Sequence, residues 1–159
     1  MAHKLFFDTN IFLNVILEEI DCENCTRLLD SWNKVGTPSK IERAGTSFLS
    51  FADLAYVLRK KFGPAQVKRY LGIFLRHLAE ILPNDEENMT IALNSKGPDF
   101  EDILQYVCAV RNGYDVIVTC NKKHFDKIET GPSRPNGSQP LPIVMTPEEV
   151  LSELIFPQK

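Results

Sequence analysis

Apolar and polar positions change period repeatedly along this chain, and the changes mark out its elements. Lys4 to Phe7 reads as a short strand, cut off by Asp8-Thr9-Asn10, residue types that favour turns and helix caps. Ile11, Phe12, Val15 and Ile16 then recur at helical spacing. A second helix starts near Asp21, carries Cys25, Leu28, Leu29 and Trp32, and ends before Gly36-Thr37-Pro38. Ile41 to Thr46 has the character of a strand. Ser47 to Phe62 is helical by pattern until Gly63-Pro64, where Pro64 opens another helix through Val67, Leu71, Phe74 and Leu78. A short strand is predicted at Ile81-Leu82 and a helix over Met89 to Leu93, broken by Gly97-Pro98.

The second half is sharper. Asp99 to Arg111 reads as a helix, with Asp99 as its cap, an apolar stripe of Ile103, Leu104, Val107 and Cys108, and Asn112-Gly113 as its stop. Val116 to Thr119 is a continuous apolar run of strand length, as expected for a strand buried on both faces. Ile143 to Thr146 is another, and Pro147 opens a last helix through Val150, Leu151 and Leu154. Strands alternating with helices predict an α/β domain over residues 1–159, with a parallel sheet of about four to five strands and helices on both faces. Between Asp126 and Pro142, four prolines and two glycines interrupt every pattern. That stretch is too long for an ordinary connection and is either a flap beside a site or a solvated insertion.

Composition narrows the class. The chain has 159 residues with 43% hydrophobic and 25% charged positions. That is ordinary globular usage, not that of a disordered, collagenous or disulfide-dense chain. No run approaches the roughly 18–20 apolar residues of a membrane-spanning helix, and no secretory signal is visible, so a cytoplasmic location is expected. Of the four cysteines, Cys22 and Cys25 form a lone C-x-x-C, while Cys108 and Cys120 are embedded in apolar sequence. With neither a second C-x-x-C nor a paired His, they read as reduced thiols packed like small hydrophobes.

The chemistry lies in the acids. In an open parallel sheet, ligands bind beyond the carboxyl ends of the strands. Asp8 follows the first strand at once, Asp53 lies early in the helix after the second, and Asp99 and Asp102 share one face at a helix start. Thr119-Cys120-Asn121 closes the apolar strand. Two carboxylates ~5 Å apart repel by roughly 3 kcal/mol at an effective dielectric of about 20, so a cluster of them takes up protons or binds a cation. An all-oxygen set favours Mg²⁺ or Mn²⁺ over zinc, and such a site activates water for phosphodiester displacement. The competing reading is local: Ser50-Phe51-Ala52-Asp53 and Asp99-Phe100-Glu101-Asp102 both approximate capping boxes, and Asp8 sits where a cap would.

The order of motifs adds to this. Phe6 to Leu13 (FFDTNIFL), Thr46 to Leu58 (TSFLSFADLAYVL), Asp99 to Ala109 (DFEDILQYVCA), Val116 to Phe125 (VIVTCNKKHF) and Ile143 to Leu151 (IVMTPEEVL) together resemble the PIN-domain ribonucleases, the VapC-like toxins among them. The resemblance covers nearly the whole chain and implies a PIN-like fold and a metal-dependent endoribonuclease. It makes Asp8, Asp53 and Asp102 the acids that hold Mg²⁺ or Mn²⁺, with Asn121 assisting them. Asn10 and Thr119 are then polar companions, and Asp99 an outer neighbour. At the fourth acidic position the chain departs from the family: Asn121 is neutral, His124 stands where Asp is expected, and Cys120 where Arg is expected. That departure leaves a second reading open, a catalytically weak PIN-fold module that binds RNA or protein. A third, an aspartate-nucleophile phosphotransferase, wants a second Asp where Asn10 stands.

Net charge is −3, which does not advertise nucleic-acid binding. Basic residues nonetheless cluster at Arg59-Lys60-Lys61, Lys68-Arg69, Arg76-His77 and Lys122-Lys123-His124. They form either a solvated face or a basic rim that steers RNA phosphates, with Arg59, Lys60, Lys68, Arg76, Lys122 and Lys123 as its contacts. The resemblance further implies a homodimer and a small antitoxin protein as partner.

Overall fold

The computed structural model describes residues 2–33, 41–76, 78, 80–129 and 140–157. Among the described residues, five strands form one parallel sheet in the order β3-β2-β1-β4-β5: β1 (His3–Phe7), β2 (Ile41–Ser47), β3 (Glu80–Leu82), β4 (Val116–Val118) and β5 (Ile143–Met145). The chain builds outward from β1 through β2 to β3, then returns to the other side of β1 with β4 and β5. The strand order therefore reverses between β1 and β4. A crevice at the carboxyl ends of those two strands is where such sheets bind ligands.

Alternation along β1 explains why its two faces differ. Leu5 and Phe7 enter one core with Ile11, Phe12, Leu54, Val116 and Val118, on the side covered by α1 (Thr9–Leu17), α2 (Cys22–Asn33) and α3 (Phe48–Phe62). Phe6 and Ile117 point the other way, into a core with Tyr106, Ala109 and Val110 of α6 (Phe100–Arg111) and with Tyr114. Burying each such side chain contributes about 1.5–3 kcal/mol, and β4, apolar at every position, is dry on both faces.

Helix ends follow local chemistry. Gly63, with φ +82°, forms the joint between α3 and α4 (Pro64–Leu75), and Pro64 stands in the first turn as expected. α4 stops at Leu75, before the expected Leu78, where Arg76 N–H turns back to the Ile73 carbonyl. α5 (Glu86–Leu93) begins earlier than the apolar pattern predicts, because the Asp85 side chain caps Asn88 N–H at 2.8 Å. A helical turn at α7 (Lys122–Phe125) has no counterpart in the sequence reading, since four residues are too few to show a period. The last helix, α8 (Pro147–Val150), opens on a Thr146–Glu149 capping box and widens into a π-helical turn over Leu151–Ile155.

The Gly36-Thr37-Pro38 stop, His77 and most of the 126–142 stretch lie outside the described residues. At the near end of that stretch, Glu129 pairs with Lys96 through a two-way backbone bridge. The cysteines are free thiols, as expected, with Cys25 and Cys108 buried. Cys25 pairs across the fold, its Sγ 3.5 Å from that of Cys120, so the C-x-x-C spacing is not what brings thiols together. Among the described residues, no helix is long and apolar enough to cross a membrane.

Candidate active site

Asp8 stands at the strand-order reversal. Its backbone N–H continues the β1–β4 ladder to the Val118 carbonyl at 3.0 Å, and its backbone turns into α1. The side chain does not cap that helix. One carboxylate oxygen accepts from Thr119 Oγ1 at 2.7 Å and the other from Gln105 Nε2 at 3.1 Å. Only 3% of the residue is exposed. Burial, reinforced by the charge of Asp102, pushes its carboxyl up to about 7 against the pull of the Thr119 hydroxyl.

Asp53 and Asp102 converge on the same place. A cavity of about 330 Å³ is lined by Asp8, Asn10, Asp53, Glu101, Asp102 and Gln105, with the Tyr56 ring beside them and no Lys or Arg among its lining residues. Asp53 is pushed up to about 6, first by burial and then by the charge of Glu101. Asp102 is raised by burial, with His124 opposing and Asp99 adding to the shift. His124 Nδ1 lies 2.9 Å from an Asp102 carboxylate oxygen, so the residue in place of an expected Asp is bound to an acid of the site.

The capping readings divide. Asp99 does cap α6, accepting from Glu101 N–H at 2.8 Å and Asp102 N–H at 3.2 Å, and so aims Asp102 from behind. Asp53 caps nothing in the expected Ser50–Asp53 box, because Ser47 is the cap of α3 and Ser50 already lies inside the helix.

Asn10 braces the β4 end, with Nδ2 donating to Thr119 Oγ1 at 3.2 Å and Oδ1 accepting from Cys120 N–H at 3.1 Å. Asn121 donates its backbone N–H to Thr119 Oγ1 at 2.9 Å. It does not line the acidic cavity; it faces an adjoining hollow of about 610 Å³ shared by Asn10, Asn14, Glu18, Asp21 and Cys120. Of the basic residues, Lys60 is exposed and lies 4.8 Å from the centroid of the Tyr56 ring. Lys122 is held by Glu149 at 2.9 Å, while Arg59, Lys68, Arg76 and Lys123 are exposed.

A match to the PIN-domain family model spans residues 4–123, from β1 into α7. The chain belongs to the PIN-domain family. No curated protein matches it by sequence. Among solved structures, VapBC2 from Rickettsia felis bound to a promoter DNA fragment is similar with a TM-score of 0.62 at 19% identity, over 90% of this chain and 98% of that one. DNA-bound VapBC from Salmonella typhimurium gives 0.60 at 18%, over 92% and 99%. VapC20 of Mycobacterium tuberculosis, a sarcin-ricin loop cleaving toxin, gives 0.55 at 13%, over 71% and 86%. At such identities the likeness is one of fold.

Among the lining residues of this PIN domain's site that have no role in the sequence reading, Glu101 and Gln105 carry the chemistry. Glu101 lines the cavity next to Asp102, where proximity to a candidate acid was the available signal. Gln105 is 2% exposed and bonds Asp8, and its signal was a polar residue inside the apolar stripe of a helix.

The raised carboxyls make the PIN fold pH-sensitive. Asp8 and Asp53 hold protons more tightly folded than unfolded, so the folded form binds more protons between about pH 4 and 7, and stability falls as pH rises through that window. Asp85 and Glu149, whose carboxyls are lowered, titrate below it. In metal-free buffer the melting temperature is expected to be about 5–10 °C higher at pH 5 than at pH 8. Calorimetric scans check this, and a flat profile would show that the acids are not buried together.

Proposed function

We propose that this PIN domain is a metal-dependent endoribonuclease that hydrolyses RNA phosphodiester bonds. Asp8, Asp53 and Asp102 would hold Mg²⁺ or Mn²⁺ and act as the catalytic acids. One observation carries the reading. A carboxylate almost wholly out of water at the strand reversal shares its cavity with three others and with no basic side chain. A cation is the natural complement of such a charge arrangement.

The donor chemistry fits a hard ion. Every side-chain donor in the cavity is oxygen or amide. Among the described residues, no group of three His, Cys, Asp or Glu side chains stands ready to hold an ion. Mg²⁺ does not ask for such a cage, because it keeps several waters and takes one or two protein carboxylates. When bound, the ion would supply an activated water and charge neutralisation at phosphorus.

The chain's own groups do the rest. Thr119 and Gln105 orient Asp8, Asn10 and the Asn121 backbone brace Thr119, and Asp99 and His124 hold Asp102. Asn121 assists from behind Thr119, as a brace and not as a ligand. Lys60 and the α7 lysines would steer RNA phosphates across the rim. The structural neighbours that pair a toxin with its antitoxin support a role as the toxin half of such a pair, a cytoplasmic homodimer covered by a small antitoxin protein.

The test is cleavage of single-stranded RNA in Mg²⁺, Mn²⁺ and EDTA arms, beside titration calorimetry with Mn²⁺. Cleavage in the metal arms, abolished by EDTA, is the expected result. The neutral Asn121 at the fourth position favours a weaker alternative, a binding module. Absence of both cleavage and Mn²⁺ binding at millimolar metal would remove the nuclease and favour that alternative, a catalytically weak module that binds RNA or protein.

A further inference from the structure

The Asp8 carboxylate depends on a hydrogen-bond ring assembled from three elements. Thr9 Oγ1, at the start of α1, donates to Ser50 Oγ on α3 at 2.9 Å, and Ser50 Oγ donates to Gln105 Oε1 on α6 at 3.2 Å. Gln105 Nε2 returns one proton to Thr9 Oγ1 at 2.7 Å, closing the ring. Its second proton goes to Asp8 Oδ1 at 3.1 Å. Thr9, Ser50 and Gln105 are all buried.

The ionised Asp8 carboxylate sets the direction of the amide. Each hydroxyl has one proton and a glutamine amide two, and Ser50 Oγ also lies 3.0 Å from Thr46 Oγ1, which donates to the Phe7 carbonyl at 2.6 Å. Turning the amide over would set its oxygen against both the Asp8 carboxylate and the Thr9 oxygen that accepts from it. The ring thus fixes the amide, and the amide fixes the remaining N–H on one oxygen of Asp8. Thr119 holds the other oxygen, and its own Oγ1 is fully engaged by Asn10 and Asn121.

We infer that Gln105 is a positioning residue, locked by Ser50 and Thr9, that holds Asp8 in the orientation in which it receives a divalent cation. The inference rests on the ribonuclease reading for its purpose but not for its geometry. Partners of this kind, behind the groups that touch a metal, are worth about 10–100-fold in metal affinity or activity.

Gln105→Leu keeps the bulk and removes the donor. It is expected to weaken Mn²⁺ binding about tenfold or more and to lower kcat about 10–100-fold, with KM for RNA within about twofold. Ser50→Ala, which does not touch Asp8, is expected to act in the same direction by a smaller factor, because it removes the hydroxyl that holds the amide oxygen. Gln105→Met serves if the Leu variant fails to fold. A crystal structure of the folded variant supplies the readout that needs no metal, and in it the Asp8 side chain is expected to leave its present rotamer. Wild-type Mn²⁺ affinity together with an unmoved Asp8 would overturn the inference. Should the wild-type protein bind no Mn²⁺, the metal reading falls separately, and the Asp8 rotamer in the variant decides the positioning role alone.

Discussion

Asp8→Asn is expected to lower metal-dependent RNA cleavage by about 10²-fold or more while leaving the protein at least as stable at pH 8. The loss follows from where Asp8 sits: it is the most buried of the acids, the one at the strand reversal, and the one that feels the charge of Asp102. Removing one preorganised charged group from a water-poor site costs on the order of 10²–10³ in rate. The stability argument runs the other way. Ionised Asp8 is held against burial, which is why its carboxyl is pushed up to about 7, so at pH 8 the neutral amide relieves the fold of an unfavourable charge. Against that stands one hydrogen bond, since Thr119 donates to one oxygen and Gln105 to the other, and an amide offers only one acceptor. The buried donor so left unpaired costs about 1–3 kcal/mol, less than the relief. Initial-rate cleavage assays and melting curves at pH 8 check both halves. Unchanged cleavage removes Asp8 from the chemistry, and a fall in melting temperature shows that its charge was not the burden described.

The same residue shows what a sequence discloses and what it hides. Asp8 was legible because a short apolar strand ends in it, and strand ends are where parallel sheets present their chemistry. The strands, with their two-sided burial at β4, and the helices with a clear stripe were legible for the same reason: burial writes a period into the chain. Asp53 was placed correctly in its helix yet given a capping alternative, since Ser50 looked like a cap when Ser47 held that place. Nothing periodic announces a hydrogen-bond ring, so Gln105, next to Leu104 of the apolar stripe, shows no sign of its role in the sequence. The resemblance sets Asn121 with the acids because it stands at the family's fourth acidic position. The backbone turn after β4, which no pattern encodes, sends it to the adjoining hollow instead. Pairing of His124 with Asp102 is likewise a contact between α7 and α6, distant in sequence and visible only in three dimensions.

Gly45→Ala is expected to destabilise the fold by about 3 kcal/mol, a drop in melting temperature of roughly 6–12 °C for a chain of this size. Gly45 lies in β2, between Phe6 of β1 and Glu80 of β3. A methyl group there would meet the Tyr114 hydroxyl oxygen at 2.0 Å and its Cζ at 2.9 Å. Tyr114 has no room to retreat, because it is fully buried, packs edge-on against Phe6 at 5.6 Å and donates its hydroxyl to Glu80 at 2.6 Å. Arg43 closes the arrangement, ion-paired to Glu80 at 2.8 Å and stacked 5.1 Å from the Tyr114 ring. Overpacking costs about 1–3 kcal/mol and the displaced buried hydrogen bond about 1 more. Tyr114→Phe removes the nearer of the two colliding atoms, so in the Gly45→Ala background it is expected to restore about 1–2 kcal/mol, although alone it only forfeits a hydrogen bond. Denaturant melts of the two single variants and the double variant measure that coupling. Additive losses would show that the tyrosine hydroxyl is not what excludes a side chain at position 45.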